Sequence, residues 1–106
     1  MTNALKVLVL HMLKIRYQPE KQTPSWRASI NVQRDDVEEY LQESPSLRPD
    51  LPRLLRKAYK HARIEAAEET GLALDVFPES CEWTVTEMLE DSEGRGRNSL
   101  IALPHL

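Results

Sequence analysis

Three polar side chains fall where the helical pattern of this chain favours apolar ones, and together they could hold a charged group. Gln33 lies inside the apolar stripe of the second predicted helix, Arg34 borders that stripe, and Glu69 lies at the centre of the stripe of the third. A carboxylate near a helix C-terminus is also disfavoured by the macrodipole. Because buried charge needs partners, we predict a partly buried polar cluster of these three residues, with His11 or Arg63 as a further member.

This cluster has two interpretations. In the first it is an ion pair that fixes the packing of helices 2 and 3. In the second it lines a ligand pocket. Trp26 is most simply a core anchor, but Arg27 and Lys14 beside it make an anion or partner site conceivable. The candidate ligand or partner contacts are Lys14, Trp26, Arg27, Gln33, Arg34 and Glu69.

Other reactive side chains lack the neighbours that catalysis needs. Cys81 stands beside Glu79 and Glu82, which would raise the pKa of a thiol rather than lower it. His61 and Glu65 have the spacing of two metal ligands on one helix, but a catalytic zinc site takes three protein ligands. We therefore expect no catalytic residue, no metal and no cofactor.

Composition limits the class of protein. A chain of 106 residues forms one small domain, and 41% apolar with 29% charged residues is typical of a soluble, helix-prone chain. A single cysteine fits a reducing compartment, so a cytoplasmic location is predicted. Residues 1–34 carry a net charge of +5 and residues 35–106 carry −8, and we expect the two parts to neutralise each other. The pI near 5.6 argues against nucleic-acid binding.

Proline, glycine and capping signals divide the chain into helices. Thr23 and Pro24 are predicted as the N-cap and first residue of a helix. Gly71 is predicted to end a helix with positive φ, and Thr84 with Glu87 is predicted to form a capping box. The predicted fold is all-α, a small bundle of three main helices over 3–17, 24–43 and 51–70 plus a short C-terminal helix over 85–90, with one turn around 46–48. Residues 3–90 form the domain and residues 91–106 a flexible or partly packed tail.

Helix 1 is apolar on nearly every side, which requires neighbours all round. It is too short to span a bilayer. The pattern predicts an underprotected face of Val7, Leu10 and Ile15, covered by residues 100–106, by another subunit, or not at all.

A series of short motifs resembles one known family. The motifs are His11-Met12-Leu13-Lys14, Tyr17-Gln18-Pro19, Ser25-Trp26-Arg27, Gln33-Arg34, Ser44-Pro45-Ser46-Leu47, Ala58-Tyr59, Ala62-Arg63, Glu69-Thr70-Gly71-Leu72 and Phe77-Pro78, followed by Cys81 and Trp83-Thr84. Over about residues 3–90 they are similar to the bacterial family called domain of unknown function twenty-nine. The resemblance implies an all-helical fold, a bacterial cytoplasmic origin and an analogy to toxin–antitoxin pairs, but no activity. Family members usually carry a further helical segment before the equivalent of helix 1, which this chain is expected to lack.

The sequence thus predicts a non-enzymatic protein-interaction module, possible partners being a second copy in a homo-oligomer or another bacterial protein. The predicted contact surface is helix 1, and an antitoxin-like role is one form of this function. The alternative is a small-ligand-binding protein or enzyme that uses the polar cluster between helices 2 and 3. Neither a membrane nor a nucleic acid is expected as partner.

Overall fold

The computed structural model describes residues 1–90, which fold into four α-helices joined by short 3₁₀ turns. The helices are α1 (Thr2–Tyr17), α2 (Pro24–Glu43), α3 (Leu51–Thr70) and α4 (Val85–Glu90), and the turns are Pro19–Lys21, Pro45–Asp50 and Leu74–Val76. The all-α prediction is confirmed, since the described part of the chain holds no strand. In residues 1–90 no helix combines the length and apolar character that crossing a membrane requires.

The capping signals act as expected. The Thr23 hydroxyl accepts a hydrogen bond from the Trp26 backbone N–H at 3.3 Å, and Gly71 ends α3 with φ of 77°. Thr84 and Glu87 exchange two bonds of 3.0 and 3.1 Å in the predicted capping box. The connection before α3 differs, because it is one continuous 3₁₀ turn over Pro45–Asp50 rather than a single turn around 46–48.

Helix α1 forms the centre of the molecule, with α2 packed on one side and α3 on the other. This position explains why its sequence is apolar on most sides. Its buried residues are Ala4, Leu5, Leu8, Val9, Leu10, Met12, Leu13 and Ile15.

The face of α1 that the pattern predicted to need a cover is largely buried. Leu10 and Ile15 are 5% and 2% exposed, and Val7 is half-buried. Helix α1 contacts both α2 and α3. The prediction that residues 100–106 cover this face lies outside the described residues.

Helix α3 meets α1 through small side chains. Ala58, Ala62 and Ala66 are completely buried, and side chains of this size let two helix backbones approach closely. Beyond α3 the chain turns back, and its buried Phe77 and Trp83 join the same core. The segment between α3 and α4 is therefore anchored, although it is irregular.

Candidate functional site

The structure brings together three of the six predicted contact residues. Lys14 Nζ donates a 2.8 Å hydrogen bond to Glu69 Oε1, and the same Nζ lies 4.6 Å from the centre of the Trp26 ring. The Glu69 side chain is 46% exposed. The charge that balances Glu69 is thus a lysine of α1, in a pair open to solvent.

The predicted cluster of Gln33, Arg34 and Glu69 is divided. Arg34 is buried, and its Nε donates a 2.7 Å hydrogen bond to the Met88 carbonyl. This carbonyl lies in the last turn of α4, where backbone oxygens lack intrahelical partners. Arg34 therefore joins α2 to α4. Its sequence neighbour Gln33 is half-buried, and Arg27 is exposed.

The two further members that we expected in this cluster also lie elsewhere. His11 Nδ1 is 2.9 Å from the Val7 carbonyl of its own helix, and Arg63 Nε donates to the Phe77 carbonyl at 3.1 Å. Sequence position indicated that Arg34 is buried but not its partner, and it placed Glu69 at the centre of an apolar stripe although this side chain is 46% exposed. The observed partners come from α1, from α4 and from the segment after α3, none of which the pattern of α2 and α3 could identify.

Ion pairs connect α1 to acidic residues that follow it in the chain. Lys6 pairs with Glu65 at 2.9 Å, Lys14 with Glu69, and Arg16 with Glu82 at 2.9 Å. Each pair joins the basic N-terminal third to the acidic remainder. This agrees with the mutual neutralisation that the charge asymmetry predicts.

A cleft of about 820 Å³ lies on another side of α3, between this helix and residues 74–86. Two hydrogen bonds hold the segment in place, from the Tyr59 hydroxyl to the Pro78 carbonyl and from Arg63 Nε to the Phe77 carbonyl. The Phe77 ring then packs edge-on against Tyr17 of α1, with the ring centres 5.1 Å apart. The cleft is therefore fixed by both α3 and α1.

Its lining combines apolar side chains with positive charge. The apolar part includes Leu51, Leu55, Trp83 and Val85. The charged lining residues are Arg48, Arg56, Lys60 and Arg63, with Glu79 as the acidic one. Within residues 1–90, Arg48, Arg56 and Lys60 form no ion pair. A surface of net positive charge thus lies on a chain whose net charge is −3.

The charges of α3 run opposite to the helix macrodipole. Its first half carries Arg53, Arg56 and Lys60, and its last turns carry Glu65 and Glu69, although cations are favoured at the C-terminus and anions at the N-terminus. The lysines of α1 neutralise the acidic end. At the basic end Arg53 pairs with Asp50 at 3.1 Å, whereas Arg56 and Lys60 face the cleft. An anionic group in the cleft would compensate them.

Two groups in the cleft that could act as nucleophile or base, Cys81 and Tyr59, have raised pKa values. Burial raises the pKa of Cys81 to about 11, with a further contribution from Glu82. Burial also raises the pKa of Tyr59. The sequence predicted the direction of the Cys81 shift from its acidic neighbours, of which Glu82 does contribute, but burial is the larger cause.

The Trp83 Nε1 is buried and has no hydrogen-bond partner in residues 1–90.

His61 is exposed, and Glu65, its predicted partner at metal-ligand spacing, pairs with Lys6. The described part of the chain contains no group of three His, Cys, Asp or Glu side chains that could hold a metal ion.

Sequence reasoning missed this cleft. A signal was present, since Arg56, Lys60, Arg63 and Ile64 recur at spacings of three and four residues and so share one side of α3. The pattern is typical of a solvated helix face, however, and only the folded segment after α3 makes it one wall of a cleft.

These features define a class of protein, a small all-helical domain with a central apolar helix and a cationic cleft on one outer helix. The chain belongs to the family described as Domain of unknown function DUF29, whose model matches residues 1–92. The resemblance drawn from the motifs is thereby confirmed. No curated protein and no solved structure matches the chain.

Proposed function

We propose that this chain is a non-enzymatic protein-interaction module, and that its partner binds in the α3 cleft. The observation that carries this proposal is the presence of Arg56 and Lys60, without ion pairs inside residues 1–90, on an apolar-lined cleft. The proposed contact surface therefore lies on α3 and not on α1, which is largely buried.

Exposed apolar side chains support a protein partner. Ile64 and Leu74 line the cleft and are 44% and 43% exposed. Apolar residues exposed together mark interaction surfaces, and complementary charge around them gives specificity and faster association. A protein surface can supply apolar and acidic side chains at once.

The protonation states of the cleft favour binding over chemistry. A thiol with a pKa of about 11 is almost wholly protonated at neutral pH, and a protonated thiol is a poor nucleophile. The Tyr59 hydroxyl is also protonated and donates to the Pro78 carbonyl. Both groups therefore serve to shape the cleft.

The partner is either another bacterial protein or a second copy of this chain, in the bacterial cytoplasm. An antitoxin-like role, in which the module covers a second protein, is one form of this function. Charge complementarity requires an acidic contact surface on whichever protein binds.

The test compares a cleft variant with a matched surface variant. Tagged wild-type chain, Arg56→Ala/Lys60→Ala and Lys21→Ala/Lys57→Ala are crosslinked in bacterial cells, and the captured proteins, including further copies, are quantified by mass spectrometry. We expect the cleft variant to lose a protein that the wild type and the surface variant both retain. Equal capture by all three, with equal melting temperatures, would contradict the proposal.

A second candidate function is binding of a small apolar anion in the same cleft. The observation that favours it is the volume of about 820 Å³, within the range of ligand pockets. It predicts a saturable rise in melting temperature with a medium-chain carboxylate such as decanoate. That rise should be lost in Arg56→Ala/Lys60→Ala and kept in Lys21→Ala/Lys57→Ala.

A further inference from the structure

Four of the five exposed large apolar side chains of residues 1–90 lie on two surfaces. Ile64 and Leu74 line the α3 cleft, whereas the fifth, Val76, is not part of the cleft lining. The other two are Val32 and Tyr40 on α2, 54% and 44% exposed. Since isolated exposed apolar residues are common but clusters are informative, these two surfaces can be compared as possible counterparts.

The surface on α2 is acidic. At 100° per residue, Val32 lies on the side of α2 opposite to the buried Ile30, Val37 and Leu41. The residues on this outer side form what we call the acidic stripe: Val32, Asp35, Asp36, Glu39, Tyr40 and Glu43. It contains no cation, so its charge is opposite to that of the cleft.

The spacing of the two surfaces also corresponds. Val32 and Tyr40 are eight residues apart, which is about 12 Å along a helix, and acidic residues recur between and after them every three or four positions. On α3, Arg56, Lys60 and Arg63 extend over about 10 Å with the same recurrence. A helix carrying the acidic stripe can therefore present a carboxylate to each of these three cations.

One chain cannot join its own two surfaces. The buried side of α2 packs on α1, and α1 separates α2 from α3. The acidic stripe faces away from that contact. A pairing between stripe and cleft has to be made between two molecules.

We propose that the α3 cleft binds the acidic stripe of a second copy of this chain. The inference rests on the proposed function, for which it specifies the partner. In each contact Arg56 and Lys60 pair with carboxylates of the stripe, while Val32 and Tyr40 of one copy cover Ile64 and Leu74 of the other. If two copies form both cleft–stripe contacts with each other, they make a closed dimer. If each pair of copies forms only one such contact, further copies add head to tail.

Self-association is tested first by the molar mass in solution. Light scattering after size exclusion, from low micromolar to near-millimolar protein, should give a mass that rises above the 12.2 kDa of one chain. Because the contact is electrostatic at its rim, the mass should fall towards that of one chain as sodium chloride increases. A mass of one chain at every concentration in low salt overturns the inference.

Charge reversal identifies the two surfaces. We expect Arg56→Glu/Lys60→Glu, which makes the cleft acidic, and Asp35→Lys/Glu39→Lys, which makes the stripe basic, each to be monomeric alone. Mixed in equal amounts they should associate again, because each then offers the other a surface of opposite charge. The mixture also shows that both variants are folded.

The control is Lys21→Glu/Lys57→Glu, which changes net charge as the cleft variant does but on exposed residues outside the cleft. It should associate as the wild type does. Failure of the mixture to associate, or equal loss in the control, contradicts this pairing. If the wild type is monomeric but the cleft variant loses another protein in cells, only the inference falls. If the cleft variant loses no protein at all, the proposed function falls as well.

Discussion

Two sides of α3 differ in whether their residues find packing and ion-pair partners within the fold. The side facing α1 consists of fully buried alanines, and its Glu65 and Glu69 pair with lysines of α1. The side facing the cleft carries Arg56 and Lys60 without ion pairs in residues 1–90, next to half-exposed Ile64. One helix thus has one side completed within the fold and another side available to a second molecule.

This difference has energetic consequences. A completed side is sensitive to shape, because a packed interior leaves no room for added atoms. An open side is insensitive in the isolated chain, since solvent adjusts to a new side chain. Substitutions on the two sides of α3 should therefore separate effects on stability from effects on binding.

The largest expected effect is overpacking of the completed side. Ala62→Leu inserts three carbons where Ala62 is 0% exposed, and we expect a loss of about 1–3 kcal/mol in the free energy of unfolding. The comparison on the open side is Ile64→Ala, which should alter the free energy of unfolding by less than about 0.5 kcal/mol. Urea denaturation followed by circular dichroism measures both. Similar losses for the two variants would show that the open side is also part of the packed core.

The next effect concerns the reactivity of Cys81 in the cleft. Its pKa of about 11 instead of 9.0 lowers the thiolate fraction at neutral pH by about 100-fold, and the thiolate is the reacting form. Alkylation by iodoacetamide at pH 7.5 should be slower than in the urea-unfolded chain by about that factor. The rate should rise about tenfold per pH unit up to about pH 11. Rapid alkylation of the folded chain at neutral pH would mean that the cleft does contain an activated nucleophile.

A smaller effect is expected where the cleft wall is attached to α3. Tyr59→Phe removes the hydroxyl that donates to the Pro78 carbonyl, and loss of one such bond costs about 1 kcal/mol. Tyr40→Phe, on the exposed surface of α2, is the control and should leave the free energy of unfolding unchanged. If the two variants are equally stable, the Tyr59 bond does not hold the wall in place.

The helices of this chain could be predicted from sequence because their signals are local. Thr23, Gly71 and the capping box of Thr84 and Glu87 each act within a few residues of their position. The apolar character of α1 likewise predicted that it needs neighbours on most sides. What the pattern could not give is which elements lie against α1, namely α2 and α3.

The candidate site was harder to predict because partners are set by tertiary structure. Glu69 was expected to be compensated, and it is, but by Lys14, which is 55 residues away in sequence. Arg34 was expected to be buried with a partner, and its Nε donates to a backbone carbonyl of α4, 54 residues away in sequence. The cleft depends on Phe77 and Tyr59 anchoring an irregular segment, a feature that no periodicity records.

The smallest effect is expected at the charged edge of the completed side. Lys14 and Glu69 are 13% and 46% exposed, so a double-mutant cycle of Lys14→Met and Glu69→Gln should give a coupling of about 0.2–1 kcal/mol. The coupling should shrink in high salt. The single change Glu69→Gln should be nearly neutral, since losing the pair is offset by removing a carboxylate from the C-terminal end of α3.

Glu68→Gln separates these two contributions, because Glu68 is an exposed neighbour without an ion pair in the described chain. It should stabilise slightly through the macrodipole alone. Lys14→Met should cost more than Glu69→Gln, since it also removes the cation from the Trp26 ring. A coupling well above 1 kcal/mol would mean that charge, rather than the alanine packing tested by Ala62→Leu, holds α3 on α1. The contrast between the two sides of α3 would then be one of ion pairing and not of packing.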